Sequence, residues 1–528
     1  MSKRSQAIEA AFLRAQRLHA AGRLAEAERG YRQILAAAPD HADSRHLLGV
    51  VALQAGYPAA ALAEIDAAIA RAPRQALYYA NRGNALLALG RPEEAEAACR
   101  EALRHKRNSA EAWQTLGHAL GDQGRAAEAV AAYQEALRQN ARLPDLHNSL
   151  GLALHDAARL EEAREALAEA ARRAPGDALV EGNLAGVLKD LGRLEEAEAL
   201  YRAILRRRPE DPTAHFNLGV LLLLAGRTAE AWPDWDWRFR AEPAMARDIP
   251  GTPWMGEALA GRSLLVHAEQ GIGDMIHFAR FLPLLPRDGT VVLEAHPPLL
   301  RLFSQLPGVA RVVPLGEKPP ACDLIVPMMS LPARLGLTDP AALAGPVPYL
   351  RADPAEVARW RTRLAGLPGR RVGLVFAGNP ARVRMDRRRS VPPALLAPLA
   401  SVPGVAFVSL QKPRPAAGTP EFVHDLADEL GDFADTAALV AALDLVIGVD
   451  TAVVHLAGAL GRPVWLLNRF DTDWRWGLGT ADSFWYPSLR QFRQQRAGDW
   501  ASVIAEVAAA LADGQCPAPY VRCSSQRT

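Results

Sequence analysis

Cysteine is scarce in this chain: Cys99, Cys322, Cys516 and Cys523 are the only four in 528 residues, and no two have the spacing of a zinc or redox motif. A disulfide framework is therefore excluded, and the thiols read as reduced and incidental, as in a cytosolic compartment. Long apolar runs are also missing. The densest, Leu218 to Ala225 interrupted by Gly219, is far too short to cross a bilayer. Nor is there an excess of charge, because 61 basic residues meet 59 acidic ones for a net +2. No bulk field points to nucleic acid or a membrane surface, so binding must come from local sites. The opening Met1-Ser2-Lys3-Arg4 leads into an Ala/Arg/Glu mixture without the apolar core of an export signal. Histidines are scattered without paired carboxylates, so no metal site is expected. These absences give the expectation of a cytoplasmic protein with no transmembrane segment.

What the chain does have is a repeat. Gly22, Gly56, Gly90, Gly124, Gly192 and Gly226 fall on a 34-residue grid, with Ala158 in the one remaining place. A second series, Gly49, Gly83, Gly117, Gly151, Ala185 and Gly219, and a third, Ala27, Ala61, Ala95, Ala129, Ala163, Ala197 and Ala231, share the period. Small residues at such positions let paired helices approach closely. Pro39, Pro73, Pro175 and Pro209 close second helices, since proline cannot continue the hydrogen-bond ladder. Each unit reads as helix-turn-helix.

The unit from Ala110 to Leu143 carries Trp113, Leu116, Gly117, Leu120, Ala129, Tyr133 and Ala136, and it resembles the tetratricopeptide repeat. The resemblance covers about seven units over residues 8–241 and implies an all-α solenoid, a superhelix whose concave face grips a peptide or protein. Asn81, Asn84, His118, Asn148, Asn183 and Asn217 lie on first helices and are the candidate partner-binding residues, since amides hold an extended backbone through paired hydrogen bonds. Each serves equally well as part of a solvated polar face. The array ends in Trp232-Pro233-Asp234-Trp235-Asp236-Trp237-Arg238-Phe239, an aromatic helix expected to pack on the next domain or to cap the array itself.

Beyond Pro250 the grid stops, and short β-type runs alternate with helical patterns, which is the signature of an α/β sheet. Ser263 to Ala268 reads as a strand, followed by Glu269-Gln270-Gly271-Ile272-Gly273-Asp274 and a helix from Met275 to near Leu285. A second α/β set begins at Arg371 to Pro380, continues through Val405 to Lys412, and reaches the stretch Asp444 to Leu467. There an apolar run, the polar Asp450-Thr451, a small-residue helix stopped by Gly461 and another apolar run read as β-turn-α-turn-β. Asp450-Thr451 then sits at a helix N-terminus, where free N–H groups suit a diphosphate. An ordinary N-cap explains the same pair.

Gly271-Ile272-Gly273-Asp274 and Asp450-Thr451-Ala452-Val453-Val454-His455 together make the C-terminal half similar to heptosyltransferase-like (glycosyltransferase family 9-like) enzymes of the B-type, two-Rossmann (GT-B) architecture. That resemblance implies a metal-independent glycosyltransferase without a permanently bound cofactor, using a nucleotide-sugar co-substrate. It puts Asp274 in the role of catalytic base, with helix capping as its other reading. It assigns Gly273, Gly378, Asn379, Arg389, Ser390, Asp450, Thr451, Ala452 and His455 to the donor. Backbone N–H groups would meet phosphate, the Asp450 carboxylate would meet the sugar, and His455 would support the turn. Gln411 and Lys412, at a strand's carboxyl end, are second candidates for phosphate or base. Phe470, Trp474, Trp476, Phe484, Trp485 and Tyr486 stand where that family has a short glycine-rich turn; they either stack on a ligand or pack between domains.

The expected organisation is a repeat array over residues 1–241, a first Rossmann-like lobe over 242–355 and a nucleotide-sugar-binding lobe over 356–528. The leading functional expectation is sugar transfer to a protein or glycan acceptor recruited by the array. The order of parts is similar to that of protein O-GlcNAc transferases, in architecture only. The alternatives are a non-catalytic scaffold with a degenerate transferase-like domain, and a transferase acting on polysaccharide or lipid-linked glycan.

Overall fold

The computed structural model describes residues 3–143, 145–378, 388–415 and 418–515. By packing, the chain divides into two compact units, Met1–Val187 and Leu188–Thr528. The division falls inside a helix of the array, whereas the boundary expected at 241 follows the end of the periodic pattern.

The first unit is a stack of helix pairs: α1 (Lys3–Ala20) with α2 (Leu24–Ala37), α3 (Ala42–Gln54) with α4 (Pro58–Arg71), α5 (Ala76–Ala88) with α6 (Pro92–His105), α7 (Ala110–Asp122) with α8 (Ala126–Gln139), and α9 (Leu146–Asp156) with α10 (Leu160–Arg173). The three sequence series have distinct physical jobs. Gly22, Gly56, Gly90 and Gly124 adopt positive φ between 70° and 83° in the turn joining the helices of a pair. Ala158 is forced into the same left-handed region at φ 60°, which an L-residue with a Cβ enters at a cost. The second series marks contact. A Cβ added at Gly117 would stand 2.5 Å from the Tyr133 ring, and one at Gly151 would stand 2.5 Å from Leu167. The alanines of the third series are fully buried.

One recurring device is not part of those series. Arg23, Arg91, Arg125 and Arg159 precede second helices and pair with Glu26, Glu94, Glu128 and Glu162 three residues on. The glutamates sit in first turns, where a negative charge also complements the helix dipole.

Helix α11 (Ala178–Asp190) spans the division, and the second unit continues with α12 (Leu194–Arg207), α13 (Pro212–Leu224), α14 (Thr228–Trp235) and the short α15 (Arg238–Ala241). Gly192 and Gly226 repeat the left-handed turn. The aromatic end of the array docks on the adjoining sheet region. Trp232 Nε1 donates to Leu337 O at 2.7 Å, and Trp235 Nε1 donates to Met329 O at 3.0 Å. Arg238 is fully buried and donates to both carboxylate oxygens of Glu269 at 2.9 and 3.0 Å.

Two parallel sheets make up the rest of this unit. In the first lobe β1 (Thr252–Pro253), β2 (Ser263–His267), β3 (Thr290–Ala295), β4 (Arg311–Pro314) and β5 (Leu324–Pro327) lie in the order β1-β5-β2-β3-β4. In the second, β6 (Arg370–Val375), β7 (Val405–Ser409), β8 (Val423–His424), β9 (Leu445–Val449), β10 (Val464–Asn468) and β11 (Leu489–Arg493) lie in the order β11-β10-β9-β6-β7-β8. Every pairing between these strands is parallel. The central strands are buried along nearly their whole length, as a sheet covered on both faces requires. The strand order reverses between β2 and β5 and between β6 and β9, and such switch points leave a crevice at the carboxyl ends.

The final helix, Trp500–Ala512, packs on the second sheet, where Trp500, Val503, Ile504 and Val507 join Val372, Leu374, Ile447 and Trp465 in one core.

Candidate active site

The first lobe contributes the segment after β2. Gly271 is extended, and α16 (Ile272–Phe278) begins at the next residue, three positions earlier than the sequence pattern suggests. Asp274 is therefore inside the first turn, and its Oδ2 accepts the Gly271 N–H at 2.9 Å. It caps the helix from within through Oδ2, while Oδ1 is turned away from the capping bond.

The second lobe contributes the turn after β9. Asp450 follows that strand, Thr451 is extended, and α17 (Ala452–Ala459) starts immediately after it. Thr451 is the N-cap by position but makes no side-chain capping bond, and its Oγ1 is buried without a partner.

The two helix N-termini meet. A Cβ placed on Gly273 would stand 3.3 Å from His455 Cδ2 and 3.4 Å from Ala452 Cα, so this glycine sets the approach of one lobe to the other. Across the junction Arg475 Nη2 donates to Asp274 Oδ1 at 2.5 Å, and Arg475 Nη1 holds Asp473 Oδ1 at 2.9 Å. Arg389 Nη1 donates to the Asp450 carbonyl at 3.1 Å. Burial pushes the Asp450 carboxyl up, but His455, with Nε2 at 3.6 Å, and the guanidinium groups of Arg475 and Arg389 together hold it well below the usual carboxylate range. Asp450 is thus an anion beside two cations. Gly273, Asp274, Arg389, Asp450, Thr451, Ala452 and His455 are brought to one place.

Arg475 was not singled out from the sequence. It lies among the aromatics after β10, and those side chains settle the choice left open for them. Trp474, Trp476, Trp485 and Tyr486 are buried, and only Phe484 is substantially exposed, at 45%. They form the packing between the lobes: His277 of the first lobe meets Trp485 edge-on at 4.6 Å and Trp474 at 6.1 Å, and on the second lobe's side the Trp476 ring stacks on His455 at 5.0 Å.

The remaining candidates are engaged elsewhere or lie aside. Gly378 N donates to Ser390 Oγ at 3.1 Å, which closes the base of the loop after β6. Asn379 falls outside the described residues. Gln411 is buried, and its Oε1 accepts the N–H groups of Phe376 and Ala377 at 3.2 and 3.0 Å, tying β7 to the end of β6. Lys412 donates to the Leu430 carbonyl. In the array the polar residues bond to each other from one first helix to the next. Asn81 meets His46 at 2.8 Å, Thr115 donates to Asn84 at 3.0 Å, His118 meets Ser149 at 3.4 Å, and Asn183 donates to Asn148 at 2.9 Å. Asn217 is half-buried on α13. Among the described residues no group of His, Cys, Asp and Glu side chains is arranged to hold a metal ion, and no helix is long and apolar enough to cross a membrane.

Parts of the chain match two known families. Residues 46–112, 115–178 and 183–236 match the tetratricopeptide repeat family, and residues 414–471, which contain the Asp450 turn, match glycosyltransferase family 9 (heptosyltransferase). The chain thus carries tetratricopeptide repeats in its N-terminal part and, in its C-terminal part, a segment similar to glycosyltransferase family 9. Protein FlbA of Caulobacter vibrioides is 33% identical over 320 residues, covering 54% of this chain and 52% of its own. The chain thus spans about half the length of that curated relative. Solved structures similar to parts of it include PilF of Pseudomonas aeruginosa (21% identity, 40% of this chain and 97% of that one, TM-score 0.37). Another is the thermophilic tetratricopeptide-repeat protein TTC0263 of Thermus thermophilus (23% identity, 34% and 98%, TM-score 0.32).

Proposed function

We propose that the C-terminal half transfers a sugar from a nucleotide-sugar donor, in the GT-B manner and without a metal ion, to a protein or glycan acceptor recruited by the array. The observation that carries this reading is the meeting of Asp274 and the Asp450 turn where the two lobes touch, with Arg475 bonded to Asp274 and its charge also acting on Asp450. Asp274 takes the proton of the acceptor hydroxyl as it attacks the anomeric carbon, while the bond from that carbon to the diphosphate breaks. The leaving diphosphate carries the negative charge away. The open N–H groups at the start of α17, with Arg389, stabilise that charge without needing to move at the moment of reaction. The Asp450 carboxylate, already an anion, faces sugar hydroxyls rather than phosphate, which it would repel.

A second reading is supported by the same bridge. With its Oδ1 held by Arg475, Asp274 is paired as a structural ion pair would be, which suits a scaffold whose transferase-like half no longer turns over. Incubating the full chain with a panel of UDP-, GDP- and ADP-sugars, and following release of the nucleoside diphosphate with and without candidate protein and glycan acceptors, separates the two. Transfer that disappears in Asp274→Asn supports the enzyme. Absence of both binding and release across the panel supports the scaffold.

A further inference from the structure

Behind the Asp450 turn, two buried imidazoles, one from each lobe, converge on a single phenol. Tyr486 is fully buried, and its Oη lies 2.9 Å from His455 Nδ1 and 3.0 Å from His277 Nδ1. His277 belongs to α16 in the first lobe, whereas His455 and Tyr486 belong to the second. A phenol has one proton and cannot give it to both rings, so at least one histidine must donate to Tyr486 Oη.

The surroundings decide which. Tyr349 Oη, 3.4 Å from Tyr486 Oη, donates to Ile276 O at 3.1 Å and accepts from Arg280 Nη2 at 3.2 Å; were it also to take the Tyr486 proton, both histidines would have to donate from Nδ1, and His455 would turn a bare Nε2 toward the Asp450 carboxylate 3.6 Å away. His277 Nε2 is buried with no partner. If His277 accepted the phenol proton, its own proton would lie on that Nε2 as a buried N–H with nothing to bond, the costliest outcome for such a group. His455 would then turn a bare nitrogen toward the Asp450 carboxylate 3.6 Å away. In the opposite arrangement His277 Nδ1–H donates to Tyr486 and Tyr486 donates to His455 Nδ1. The His455 proton then lies on Nε2 and faces Asp450. Burial first, then the nearby Arg280, His455 and Arg475, keep the His277 ring neutral.

We propose that Tyr486 and His277 are positioning residues for the donor turn: by this directed chain they fix the His455 tautomer, and through it the orientation of the carboxylate that meets the donor sugar. The proposal rests on the donor reading above for what Asp450 touches, but the tautomers themselves do not.

The test has two readouts on the full chain. In protein carrying 15N-labelled histidine, with the rings assigned by His277→Gln and His455→Gln, long-range correlation spectra are expected to show His277 protonated on Nδ1 and His455 on Nε2. In Tyr486→Phe, which keeps the ring and removes the hydroxyl, His277 leaves the Nδ1–H form. Affinity for whichever UDP-, GDP- or ADP-sugar binds the wild type falls about tenfold, roughly 1.4 kcal/mol, while affinity for the corresponding nucleoside diphosphate stays within about twofold. A loss of packing alone would lower both affinities together. Two rings with the proton on Nε2 in the wild type, or a Tyr486→Phe protein that binds nucleotide sugar unchanged, overturn the proposal. If no member of the panel binds the wild type, the donor reading fails, and the tautomers alone decide whether the chain is directed as argued.

Discussion

The carboxylate of Asp274 and the guanidinium of Arg475, 201 residues apart in sequence, meet at 2.5 Å where the two parallel-sheet lobes touch. One residue comes from the first turn after β2 and the other from the segment after β10, so the contact exists only when both lobes are folded and closed on each other. Both side chains are largely withdrawn from water, at 22% and 8% exposure.

Removing the cation should therefore be felt in stability and in ligand affinity. Arg475→Gln is expected to destabilise the second unit by about 2–3 kcal/mol, since it leaves largely buried carboxylates without their partner. Uncompensated charge on Asp274 and Asp473 should also weaken nucleotide-sugar binding about tenfold. Calorimetric unfolding and titration with the sugar-nucleotide panel measure the two effects.

Asp274→Asn keeps the size of the side chain and removes its basicity. Transfer is expected to fall by about 10²-fold or more, with donor affinity changed by less than about threefold. Equal losses in binding and turnover, read from separate equilibrium and single-turnover measurements, would contradict the role of base. Arg389→Ala, by contrast, should weaken the bare nucleoside diphosphate, because the guanidinium flanks the turn assigned to phosphate.

The repeat turns offer a stabilising change. Ala158 holds φ 60° where Gly22, Gly56, Gly90 and Gly124 occupy the same turn. Ala158→Gly should raise the stability of the first unit by about 1 kcal/mol by relieving that strain. Gly117→Ala should do the reverse, lowering stability by about 1–3 kcal/mol, because the added methyl meets the Tyr133 ring at 2.5 Å. Thermal unfolding of the two variants should therefore shift in opposite directions.

Acidification has its own signature in the array. His46 is 2% exposed, stacks on Tyr78 at 4.3 Å and meets Asn81 Nδ2 at 2.8 Å. Burial lowers its ring from 6.5 to about 4, against the opposing pull of Asp43. The unfolded chain therefore takes up this proton first. Stability contributed by the neutral ring is present above about pH 6.5 and is lost as pH falls toward 4, by roughly 3 kcal/mol at most. His46→Gln should flatten that part of the pH profile of the first unit, measured by calorimetry between pH 7 and pH 4.

Much of this architecture could be read from the sequence because period is a geometric signal. Gly22 to Gly226 mark left-handed turns and Ala27 to Ala231 mark helix contacts, and each position states its constraint locally. The strands were legible as short apolar runs, and β9 and β10 lie where the pattern put them. The Asp450 turn and Gly273 were legible through the motifs that carry them. Arg475, Tyr486 and His277 were not, because their roles come from contacts 31 to 209 residues away. An arginine among tryptophans reads equally as a cation over a ring, which Arg475 also is, at 4.4 Å from the Trp474 ring. The start of α16 was misplaced because Asp274 caps from the third helical position, so the glycines before it look like loop.

The docking of the last repeat sets where this protein can be cut. Trp232 and Trp235 donate to carbonyls of the first lobe, and Arg238 is the partner of the buried Glu269. A fragment beginning at residue 242 would expose the surface those rings cover and strand a carboxylate in the interior. One beginning at Leu188 keeps the whole anchor. The end of the repeat array is thus the foundation on which the first sheet rests, and it belongs to any piece expected to bind a donor.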